Sequence, residues 1–83
     1  MYRVWRENGG GEVILLVARF CTRIRSAPDR QLPEVGRTRP GARYRRTARR
    51  FDGTHFWDRI ETGGGVPLGW VVYECNGVFT WRK

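Results

Sequence analysis

The chain has one serine (Ser26), one histidine (His55), one lysine (Lys83) and two cysteines (Cys21 and Cys75) in 83 residues. A catalytic nucleophile needs a base that a third group orients, and so small a stock of side chains leaves little from which to build one. Ser26 belongs to a turn, and Cys21 with His55 and Asp58 would make a thiol dyad without any local signature. The expectation is a protein that is not an enzyme. The cysteines are too few and too far apart for a disulfide framework or a CxxC site. With His55 they would give three zinc ligands without finger spacing, so no metal or other cofactor is expected. They read instead as small buried hydrophobes in the reduced state.

Long apolar runs are also missing. The longest, Val13 to Ala18, is six residues, against ~20 for a spanning helix, so no membrane insertion is expected. It follows Glu7, Glu12 and a glycine triplet, unlike a secretory leader. A cytoplasmic protein, or one carried within a phage particle, is the expectation. Neither glycine triplet is followed by Lys-Ser/Thr or by a helix that would hold a phosphate, so both read as loops.

What is present points to a compact β domain. Gly and Pro make fifteen of the 83 residues and there are four Trp, a mix unlike disorder or a coiled coil. A chain of this length buries only roughly 60–65% of its unfolded surface, which leaves little room for a deep multi-residue catalytic cleft. The net charge is +8, and fifteen of the sixteen basic residues are arginine. GC-rich coding gives such a skew, and so does selection for bidentate contact with phosphate or carboxylate. Between Arg19 and Arg50 eleven arginines meet only Asp29 and Glu34, a net +9; the remainder, five bases and six acids, is −1. That asymmetry suggests an acidic partner.

Tyr2-Arg3-Val4-Trp5 alternates and runs into Asn8-Gly9-Gly10-Gly11, a strand and a hairpin turn. Val13 to Phe20 is apolar and β-branched without helical period, and reads as a strand buried on both faces, the spine of the fold. Ser26 to Asp29 and Arg39-Pro40-Gly41 are turns, with an irregular connector between them. The runs 42–51, 54–61, 68–75 and 78–82 follow, separated by Asp52-Gly53, the Gly63 to Pro67 loop and Asn76-Gly77; Asp-Gly and Asn-Gly are strong hairpin signals. About six to seven short strands imply a small barrel or sandwich, a single all-β domain over 1–83.

Ile24-Arg25-Ser26-Ala27-Pro28 resembles the opening Asn-Val-Arg-Ser-Gly-Pro signature of bacterial SH3-like (SH3b) domains. In the same order Glu34-Val35-Gly36 is similar to that family's Val/Ile-Gly element. Arg39-Pro40-Gly41 is similar to its Gly-ended turn, Trp57-Asp58-Arg59-Ile60 to its Trp-Tyr-Lys-Val strand, and Gly69-Trp70-Val71 to its Gly-Trp-Val. The likeness covers about residues 20–73, the SH3b-like core; 1–19 would be an added N-terminal hairpin and 74–83 a C-terminal strand. Departures are Arg23 for Asn, Ala27 for Gly, Arg46 at a core position, and the long Gly63 to Pro67 loop. The resemblance implies an SH3-like barrel that recognises a partner without catalysis, often cell-wall peptide or a protein segment. A free-standing, Arg-rich module of this kind would suit a phage or bacterial accessory protein.

Two surfaces qualify for recognition. Trp57 and Trp70, with Tyr44 or Tyr73, would form an amphipathic groove, although a small barrel also uses such rings to fill its core. Arg43, Arg45, Arg46, Arg49 and Arg50 read as a strand with an Arg row on its solvent face, which Arg37 and Arg39 extend. The first expectation is a binding module for an acidic protein segment or a cell-envelope component. The second is a small basic barrel that binds nucleic acid, and a solvated edge strand remains open. The residues expected to carry binding are Trp57, Trp70, Tyr44, Tyr73, Arg37, Arg39, Arg43, Arg45 and Arg49.

Overall fold

The computed structural model describes the backbone of residues 3–6, 12–75 and 77–82, and the side chains of residues 14–74 and 77–82. Tyr2, the Asn8 to Gly11 turn, Asn76 and the side chains of Trp5 and Cys75 lie outside the described residues. The fold is all-β: nine strands and no helix among the described residues. They are β1 (Arg3–Arg6), β2 (Glu12–Val17), β3 (Arg23–Arg25), β4 (Glu34–Arg37), β5 (Arg43–Phe51), β6 (Phe56–Thr62), β7 (Pro67–Val72), β8 (Glu74–Cys75) and β9 (Val78–Phe79). Seven form one antiparallel sheet in the order β1-β2-β5-β6-β7-β3-β4, and β8 and β9 form a small hairpin.

The N-terminal hairpin is present as the pairing of β1 with β2, from Arg3 opposite Leu15 to Arg6 opposite Glu12. The expected spine is not where Val13 to Phe20 suggested. β6 lies at the centre with three strands on either side, while β2 is next to the outermost strand. Among the described side chains of that run only Leu16 and Ala18 are buried, while Ile14, Leu15 and Val17 are half-buried. Two short strands, β3 and β4, also occupy stretches without an expected strand; β4 lies inside the expected irregular connector. The run 68–75 breaks at Tyr73 into β7 and β8.

The sheet curls in the manner of a small barrel, and the C-terminal segment closes it. Ala18 bridges Trp81. The Arg19 amide donates to the Thr80 carbonyl at 2.9 Å, the Arg82 amide to Val17 at 2.8 Å and the Thr80 amide to Tyr73 at 2.9 Å. Paired residues on neighbouring strands share a face, so the register fixes which side chains enter. Leu16 opposite Tyr44, Ile60 opposite Gly69, and Val71 opposite Asp58 all point inward. With Ala18, Ile24 and Trp81 the inward apolar side chains form the buried core. Ile60 and Val71 are wholly buried, and removing such a side chain from water contributes about 1.5–3 kcal/mol. Thr38 latches the chain between β2 and β3: its hydroxyl donates to the Phe20 carbonyl at 2.7 Å and accepts from the Thr22 amide at 2.8 Å.

Candidate anion-binding face

The sequence Arg43-Tyr44-Arg45-Arg46-Thr47-Ala48-Arg49-Arg50 reads as a row of arginines on one face, but β5 does not keep one phase. Arg46 lies opposite Ile60 while Ala48 lies opposite Arg59, so a β-bulge takes up one residue at Thr47. Such a bulge re-aims everything beyond it. Before it Arg43 and Arg45 face outward; after it Arg49 turns inward with Asp58, and Arg50 comes out with Trp57. The expected row is therefore split. Arg49 is committed to the buried Asp58, to which Nε and an NH2 nitrogen donate at 2.7 and 3.2 Å, although its side chain remains 32% exposed. Its guanidinium lies 4.1 Å from the Tyr73 ring centroid, which also removes Tyr73 from a free groove. The Arg45 side chain is only 12% exposed, with Glu61 at 3.8 Å. Arg37 forms a fork on Glu34 at 2.7 and 3.0 Å and holds that carboxyl below its ordinary range.

Of the expected groove rings, Tyr44 and Trp57 are not on the surface. Tyr44 is in the core beside Trp81, and its hydroxyl accepts from the Arg39 amide at 2.8 Å. Trp57 is the less obvious case: its register with Arg50 and Val72 turns it away from the core, yet it is 2% exposed. A residue on the outer side of a strand is buried only if something covers it. Here Trp57 forms the base of a pocket of about 260 Å³ beside Val72, lined also by Cys21, Arg23, Arg25 and Arg30. The Arg25 guanidinium donates to the Leu32 carbonyl, which pins the 26–33 loop beside this pocket. Trp57 Nε1 donates to Asp52 at 2.8 Å.

Trp70 remains, half-buried, on the same outer face. The register sets it between Arg59 of β6 and Arg25 of β3, and the Arg50 guanidinium lies 5.7 Å from its ring centroid. Arg23, Arg25, Arg30, Arg50 and Arg59 thus surround two tryptophans on the outer side of β6, β7 and β3. No carboxylate lines the Trp57 pocket; Glu34, which accepts the Arg37 fork, also lies 3.7 Å from Arg23 Nε, and Asp52 accepts from Trp57. Arg39 and Arg43 are exposed, but Arg43 is registered with Val17 on the β2 side of the sheet, apart from Trp70. Sequence reasoning put Arg50 in the solvent-facing row but left all of Arg23, Arg25, Arg30, Arg50 and Arg59 out of the expected binding residues. The one signal for them was the +9 segment, which supplies four of the five.

Asp52 organises the β5–β6 turn that borders this face. Besides Trp57 it accepts from the amides of Thr54 and His55 at 2.8 and 2.7 Å, and these bonds draw its carboxyl down from 3.8 to about 2. Folding favours the charged form, so its stabilising contribution is full above the unfolded value and disappears as pH falls through the folded one. Thermal melts are expected to lose stability between about pH 4 and pH 2, with a smaller loss in Asp52→Asn. Equal acid limbs for the two proteins would refute this role.

Cys21 is exposed, not buried as expected, because it follows the Ala18 closure and points to the open pocket. Cys21 and His55 line different pockets. Among the described residues no three His, Cys, Asp or Glu side chains gather as a metal site. The chain matches no family model, no curated protein and no solved structure.

Proposed function

We propose that this protein is a non-catalytic binding module that holds an anionic partner on the outer face of β6, β7 and β3. The observation that carries the reading is the gathering of Arg23, Arg25, Arg30, Arg50 and Arg59 around Trp70 and the Trp57 pocket. Guanidiniums gathered on one face, among which Arg25 also holds the Leu32 carbonyl and Arg23 lies 3.7 Å from Glu34, attract anions over a distance and then pair with them bidentately. An acidic protein segment and a nucleic acid both meet that requirement. The resemblance to SH3b domains supports recognition without catalysis.

The test is binding of short polyglutamate and oligonucleotide probes at low salt. Arg50→Glu with Arg59→Glu is expected to weaken the tighter probe by about tenfold or more and to flatten its salt dependence. Arg39→Glu with Arg43→Glu changes charge equally and is expected to do much less. The reverse ranking would move the site to the β2–β5 side of the molecule.

A further inference from the structure

The same face favours one kind of anion over others. Resting on the anion-binding reading above, we propose that its ligand is single-stranded nucleic acid, with a base stacked at Trp70 and phosphates held by the arginines on either side. Three features of the face carry this.

The first is what lies at its centre. A site for carboxylates alone has no use for an aromatic ring, whose face carries negative charge density and repels an anion. A nucleobase is planar and neutral and stacks there whatever its sequence. Trp70 is half-buried, so its ring is fixed in orientation while part of it remains accessible.

The second is the placement of charge. Arg59 and Arg25 are the cross-strand neighbours of Trp70 on opposite sides, each with its Cβ roughly 5 Å away. Cation, ring and cation therefore alternate across three strands, as phosphate, base and phosphate alternate along a nucleic acid strand. The Arg50 guanidinium carbon lies 5.7 Å from the ring centroid, a cation–π distance, and among the described residues it has no ion pair. It is free to swing aside for a base and take a phosphate. Arg23 and Arg30, on the rim of the adjoining pocket, continue the cationic path away from the ring.

The third is shape. The face is a curled sheet with a shallow pocket, and a half-buried ring cannot reach a base that is stacked inside a duplex. Single strands present base faces directly.

The experiment compares four probes by anisotropy: an oligothymidylate, an abasic strand of equal length, the corresponding duplex, and polyglutamate. Oligothymidylate is expected to bind at least about tenfold more tightly than the others and to quench tryptophan fluorescence. Its affinity should fall with salt at a log–log slope of roughly −3, for four phosphate contacts at about −0.7 each. Trp70→Ala is expected to lose about five- to 150-fold for oligothymidylate while leaving the abasic strand unaffected. Should that variant fail to fold, Trp70→Phe keeps the question open to test: it retains a stacking ring, so most affinity should stay while the quench disappears. If the abasic strand or polyglutamate binds as well as oligothymidylate, or the quench survives Trp70→Phe, the stacking proposal is overturned and the anion-binding face stands. If duplex binds best, a backbone-only contact replaces it. If no probe binds in a manner sensitive to Arg50 and Arg59, both readings fall together.

Discussion

Arg49→Met is expected to remove about 3–5 kcal/mol of folding stability and to lower the melting temperature by more than about 10 °C. Asp58 has 0% exposure, and a carboxylate in that position persists only because donors surround it. It receives two bonds from Arg49 and one from the buried Trp81 indole at 2.7 Å. Removing the guanidinium leaves a buried charge with one neutral donor, which costs far more than the ion pair itself is worth. Arg49→Lys restores the charge but not the planar fork, and should fall between the two. Arg50→Met, one residue along on the outer side, should change stability by no more than about 0.5 kcal/mol. Chemical denaturation of the three variants decides it: an Arg49→Met loss near that of Arg50→Met would show that Asp58 does not depend on the fork.

The contrast between those two adjacent arginines also shows where sequence reading stopped. The all-β class was legible because apolar and β-branched residues recur in short runs between Asp-Gly, Asn-Gly and Pro-Gly turns, and such periodicity is local. Trp70 was legible as a ring of the recognition surface, and it is half-buried on the outer face. The bulge at Thr47 was not, because β5 contains no glycine or proline to mark it and its partner residues lie on β6. Once the phase changes there, Arg49, read as part of the solvent-facing row, lies opposite Asp58 instead. Trp57 failed for a related reason: strand alternation turns it outward, and its burial depends on groups brought in from β3 and the 26–33 loop. Arg59 and Arg25 are unremarkable in the chain, and become neighbours of Trp70 only through register.

The face is thus assembled by two devices, and the second is more severe than the first. Gly69→Ala is expected to cost about 2–6 kcal/mol, combining an unfavourable backbone conformation with overpacking. Gly69 has φ +137°, and a Cβ there would lie 2.4 Å from the Arg25 carbonyl oxygen and 2.9 Å from Ile24 Cγ2. The nearest atom is backbone, so no rotamer change relieves the contact. The glycine makes room for β3. Because β3 joins the sheet only through β7, and β4 only through β3, the clash falls on the one seam that holds both strands. Where the variant still folds, amides of β3, β4 and the 26–33 loop should exchange much faster than those of β5 and β6. Arg23, Arg25 and Arg30 would then leave the Trp57 pocket, and anion binding should fail along with them. Gly53→Ala is the control: its φ is also positive, +99°, but open space surrounds it, so it should lose only about 1–2 kcal/mol. Equal losses for the two substitutions, with β3 amides still protected in Gly69→Ala, would show that the seam tolerates a side chain and that the β3 arginines are held by other means.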